Sequence, residues 1–84
     1  MTKEKKIKKE IKYLTEFYIG EFMIELSDIN GQFDYEREYQ EIAIGMNENF
    51  GFSRTEAKQI AGEVIDRLKK FAKKVIAAKE AAIQ

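Results

Sequence analysis

The stretch "NENFGFSRTEAKQIAG", Asn47 to Gly62, decides how the rest of the chain folds. A DNA-reading helix-turn-helix also has a glycine in its turn and opens its second helix close behind. Here the same residues have a use in helix termination. Gly51 is a left-handed stop for the helix before it. Ser53 and Glu56 match the Ser-x-x-Glu capping box, in which the serine oxygen accepts from the third amide and the glutamate reaches back. Phe52 and Ala57 flank that cap where a hydrophobic staple sits. Only Arg54, Lys58 and Gln59 are left to reach phosphates or base edges, and Glu56 and Glu63 would face the same groove. The corner reads as a sharp bend between two packing helices.

Working outward, Asp34 is an N-cap for the helix that precedes the bend, with Glu36 near its positive end. That helix spans about 35–49, and Tyr35, Tyr39, Ile42, Met46 and Phe50 form its inner stripe. After the bend, Ala57, Ala61, Val64, Leu68, Phe71, Val75, Ala78 and Ala82 alternate steps of four and three, a heptad-like seam. Ile60, Ile65, Ala72 and Ile76 widen it, and the helix spans about 54–82. Near the N-terminus, Ile7, Ile11, Leu14, Tyr18, Phe22, Leu26 and Ile29 keep the helical repeat, so a first helix spans about 3–28 and ends at Asn30-Gly31. The apolar middle of this helix, "FYIGEFMIEL", predicts contact with two neighbours.

The fold class that follows is all-α: a three-helix bundle with two long helices and one short one, forming a single helical domain over residues 1–84. At 1.5 Å per residue the helices measure roughly 39, 22 and 43 Å. A short helix cannot cover two long ones. The seam of the third helix continues through Val75 and Ile76 where the second has run out, and the expectation is a homodimer through the C-terminal helix.

A chain of 84 residues buries a small share of its surface and needs some compensation. Cysteine and histidine are absent, which excludes disulfides and the usual zinc sites. The same absence removes the commonest proton shuttle and the commonest soft nucleophile. The expectation is a protein that is not an enzyme and carries no cofactor or metal. Proline is absent too, which suits unbroken helices. No apolar run approaches the ~18 residues of a membrane span, and the basic N-terminus lacks the apolar core of a secretory signal. A cytoplasmic protein with no membrane partner is expected.

Net charge is zero, but it is segregated. Six lysines outweigh Glu4 and Glu10 in residues 1–12; nine acids oppose Arg37 alone in residues 13–48; eight bases outweigh four acids in residues 49–84. In an up-down-up bundle the acidic second half of the first helix lies beside the basic second half of the third. Charge pairing there would use up much of the basic patch formed by Arg67, Lys69, Lys70, Lys73 and Lys74. The alternative is that this patch, with the N-terminal lysines, neutralises nucleic-acid phosphates. A neutral domain with pI ≈ 6.3 argues against that, since DNA-binding modules are clearly basic. Glu21, Glu25 and Asp28 share one face of the first helix and read as a solvated or salt-bridged row, with a hard cation as the alternative.

The segment "EIAIGMNENFGFSRTEAKQIAGEVIDRLKKF", Glu41 to Phe71, resembles the N-terminal helical hairpin of the histone-like HU/IHF proteins in its packing and capping residues. In that family the hairpin chiefly builds the dimer and β-arms grip DNA. No arm-like strand pair follows here, so the resemblance does not carry a DNA grip with it.

Gly20, Gly45 and Gly62 each interrupt a helix at a cost of about 1 kcal/mol relative to alanine. The expected reason is close backbone approach where helices cross; the alternative is room for a ligand or a partner's side chain. Nine of ten aromatics precede residue 53, more than three helical stripes can bury. Tyr13, Phe17, Phe33 and Tyr35, ringed by acids, are the candidate partner-binding residues, since tyrosine is enriched at interfaces. The functional expectation is a small interaction protein acting by stoichiometric binding to a protein partner. Chains of this size and style suit a phage or mobile-element regulator or inhibitor.

Overall fold

Three helices form at the expected places in the computed structural model, which describes residues 2–27 and 34–83, with the backbone alone for residues 21–27, 79, 80, 82 and 83. They are α1 (Lys3–Ser27), α2 (Tyr35–Asn49) and α3 (Arg54–Ile83), of 25, 15 and 30 residues. Each start has a cap. The Thr2 hydroxyl accepts from the Lys5 amide at 3.3 Å, a cap unremarked in the sequence reading. The Asp34 carboxylate accepts from the Arg37 amide at 3.0 Å, as its position predicts. At α3 the capping box closes in both directions: the Ser53 amide donates to Glu56 Oε1 at 2.8 Å, and the Glu56 amide donates to Ser53 Oγ at 3.1 Å.

The bend between α2 and α3 is built from backbone bonds as well as glycine. Gly51 has φ of 76°, the left-handed region in which a side chain is strained. The Phe52 amide folds back to the Met46 carbonyl at 3.2 Å, and Asn47 Nδ2 donates to the Phe52 carbonyl at 2.9 Å. This wrap turns Phe52 into the core and leaves Phe50 58% exposed. Phe50 therefore does not extend the α2 stripe. The helix ends at Asn49 and the backbone of Phe50 (φ −118°, ψ 2°) carries its ring off the buried face.

Helix α3 is the centre of the bundle. Ile60, Val64 and Leu68 are fully buried, and Ala57, Ala61, Ile65 and Ala72 complete its buried face. Ile42 and Met46 from α2, Ile11 from α1 and Phe52 from the bend close the core around it. Both α1 and α2 pack on α3, while no close backbone approach joins α1 to α2 among the described residues. The directions follow from three cross-helix contacts. Lys3 meets Glu56, so α1 and α3 start together. Tyr18 of α1 and Lys69 of α3 both reach the first turn of α2, through Glu38 and Tyr35 respectively, so α2 runs the other way. The topology is up-down-up.

One expectation is overturned. A Cβ added at Gly20, Gly45 or Gly62 would meet nothing within 4 Å among the described residues. None of the three marks a close helix crossing among the described residues, and α3 packs through its alanines and branched residues instead. Glu21 and Glu25, acids of α1 expected to pair with the lysines of α3, lie with Asp28 outside the described side chains, and Glu16 makes no ion pair with those lysines among the described residues. No group of three or more acidic residues that could hold a metal occurs among the described residues. Nor is any described helix long and apolar enough to cross a membrane.

Candidate partner-binding surfaces

Two aromatic rings stand off α1. Tyr13 and Phe17, one turn apart, are 63% and 52% exposed, far more than a core stripe allows. Phe17 is held by an edge-to-face contact with Tyr18, ring centroids 5.5 Å apart. Tyr18 is itself fixed, since its hydroxyl donates to Glu38 Oε2 at 2.9 Å on α2. The arrangement presents Phe17 on a braced ring, with the entropy of its placement partly spent before any partner arrives.

The other two candidate aromatics are placed differently. Phe33 lies outside the described residues. Tyr35 is half-buried against the core, and the Lys69 ammonium sits 5.5 Å from its ring centroid. Burial pushes its phenol above the ordinary tyrosine range. The structure thus makes Tyr35 part of the α2–α3 packing.

The basic face of α3 is only partly engaged. Arg67 pairs with Glu63 at 3.5 Å and Lys70 with Asp66 at 3.1 Å, both within the helix and both exposed, so each contributes little. Lys73 and Lys74 make no ion pair among the described residues. Lys69, Lys70 and Lys73 rim an open groove of about 390 Å³ whose floor holds Ala72 and Ile76, with Tyr35 and Asp66 at its side. Ile76 is 48% exposed there. The periodicity of α3 had placed Ile76 on the widened seam, but among the described residues α2 reaches only as far as Tyr35 at the side of this groove.

A smaller groove of about 270 Å³ opens at the other end of the α2–α3 seam, between Ile44 and Asn47 of α2 and Arg54 and Lys58 of α3. Ile44 is 53% exposed. The sequence reading passed over it because it falls outside the stripe Tyr35, Tyr39, Ile42 and Met46. Its signal was available: an isoleucine between Glu41 and Glu48 on the outer face of an otherwise polar helix side. No protein-family model matches this chain, and neither a curated protein nor a solved structure does.

Proposed function

We propose that this chain is a small helical interaction protein that acts by stoichiometric binding to a protein partner, and not by catalysis. The observation that carries the reading is the exposed Tyr13/Phe17 pair on α1, braced through Tyr18 and Glu38. Large aromatics with few rotamers are the residues that dominate binding energy at protein interfaces. The absence of histidine and cysteine supports the non-catalytic half of the proposal. A phage or mobile-element regulator or inhibitor, held in the cytoplasm as a homodimer that involves α3, is the role this reading favours.

The test is a double variant, Tyr13→Ser with Phe17→Ser. Both side chains are exposed, so the helical circular-dichroism signal and melting temperature stay near those of the wild type. A partner retained by the wild-type protein from host lysate at fixed stoichiometry is lost by the double variant. Full retention of every such partner overturns the reading.

A second reading rests on Lys73 and Lys74, which no described acid neutralises. With Arg67, Lys69 and Lys70 they would contact nucleic-acid phosphates. Titration against duplex and single-stranded DNA at low and moderate salt separates the two. Strong binding that weakens steeply with salt, and disappears when these lysines become glutamine, replaces the first reading with the second.

A further inference from the structure

Helix α1 turns Ile7, Ile11, Leu14 and Tyr18 to the core, and its opposite side forms one outward ridge. Lys6, Lys9, Tyr13 and Phe17 follow one another along it at steps of three and four, and Lys5 and Lys12 flank its first half. All six are exposed. The ridge is therefore basic toward the start of the helix and aromatic toward its middle. Glu10, partly buried at one edge, and Glu16, beside the rings, are the acids along it. None of these lysines or glutamates makes an ion pair among the described residues. The bend between α2 and α3 extends the ridge. There Lys3 and Lys6 share an open pocket of about 310 Å³ with Phe50, Gly51 and Phe52. Among the described residues no acid lines it, and Glu56, which Lys3 reaches, is already taken by the Ser53 amide. Phe50, with its ring 58% exposed, thus sits at the basic end of the ridge as Tyr13 and Phe17 sit at the other.

We propose that this ridge docks an acidic peptide segment of a partner protein. Its Asp and Glu side chains meet Lys5, Lys6, Lys9 and Lys12, while apolar side chains on either side of them pack on Phe50 and on the Tyr13/Phe17 pair. The inference rests on the protein-binding reading above; it adds the chemistry of the partner and a second apolar contact. Lys6 to Phe17 spans about 17 Å at 1.5 Å per residue, so a partner helix of about a dozen residues covers the ridge.

Phosphates would also suit the lysines, but the order of charges along α1 favours a peptide. A nucleic-acid strand repeats its charge at every nucleotide. Running from the lysines onto the two rings, it would carry that charge to Glu16 and on along the second half of α1, where every charged residue is an acid. Like charges across a contact oppose binding. A peptide can confine its acids to the positions opposite the lysines and present apolar side chains to the rings. The neutral chain, with pI ≈ 6.3, also lacks the overall basic charge of a nucleic-acid module.

Panning a displayed library of random peptides, each of about 16 residues, on the immobilised full chain tests this. Enriched peptides are expected to be acidic, with apolar residues on both sides of the acids, and to bind one to one with an affinity that falls as salt rises. Lys6→Glu with Lys9→Glu is expected to weaken them at least about tenfold, and Phe50→Ser at least about threefold. All three side chains are exposed, so an unchanged helical circular-dichroism signal separates lost binding from lost folding. Panning on the lysine variant is expected to enrich basic peptides instead. Enriched peptides that are not acidic, or that bind the lysine variant as well as the wild type, overturn the inference; if Tyr13→Ser with Phe17→Ser still abolishes them, the protein-binding reading stands. Acidic peptides that bind this aromatic double variant undiminished overturn both. A library that yields no binder overturns the inference and leaves the reading to its own retention test. Binding of oligo-dT that is tighter than any selected peptide and lost in the lysine variant overturns it in favour of nucleic acid. A wild-type dimer that the lysine variant dissociates overturns it in favour of a second copy.

Discussion

Glu56 ties three parts of the chain together. Its carboxylate accepts the Ser53 amide, its own amide returns to Ser53 Oγ, and Lys3 of α1 approaches at 3.2 Å. The Ser53 hydrogen bonds first, and Lys3 after them, hold its carboxyl below the usual glutamate range. A depressed carboxyl stabilises the fold above its unfolded pKa, and that contribution is lost as pH falls through the folded value. Acid titration followed by circular dichroism is expected to show helix loss beginning below the ordinary glutamate range. Glu56→Gln keeps a capping-box partner without the charge and should flatten the part of that loss due to Glu56. At the same corner, Ser53→Ala is expected to cost about 1 kcal/mol in urea denaturation. Gly51→Ala places a side chain at positive φ and should cost roughly 1–2 kcal/mol. The caps at Asp34 and Ser53 were legible because short polar side chains bond backbone amides only a few residues away. The exposure of Phe50 was not, since it depends on the Phe52 bond to Met46.

Helix α3 shows what periodicity can and cannot say about an element. Its spacing identified the buried residues from Ala57 to Leu68, and all of them face the core. The same spacing ran on through Val75 and Ile76, where burial declines because the partner helix has ended. A pattern records which side is apolar, not what covers it. The glycines carry the opposite lesson. Among the described residues nothing lies within 4 Å of a Cβ at Gly20 or Gly45, so alanine at either should add helix propensity without a clash. Each substitution is expected to stabilise by about 0.5–1 kcal/mol, a rise in Tm of a few degrees for a chain this size. Differential scanning calorimetry checks it. A fall in Tm at either position would mean that the glycine meets something outside the single chain.

For the whole molecule, stability rests on one small core under α3. A chain of this length has a total stability of roughly 4–12 kcal/mol, and Leu68 is fully buried. Leu68→Ala is expected to cost about 2–5 kcal/mol, a large share of that total. Phe50→Ser, at an exposed ring, should stay within about 0.5 kcal/mol of the wild type. Urea midpoints at constant slope distinguish them. The contrast matters because both residues are large and apolar, and only position in the bundle separates them.

Local physics settled the starts of the three helices, the caps at Asp34 and Ser53, the sharp corner at Gly51 and Ser53, and the apolar face of α3, because each depends on residues within a few positions of one another. Segregated charge was equally plain from composition. The tertiary structure decided the rest. It made α3 the central helix and drew Tyr35 into the packing under Lys69. It left Tyr13, Phe17, Ile44 and Ile76 on the surface. Those outcomes depend on which helix lies against which and where the shorter one stops, and no spacing within a single helix encodes that.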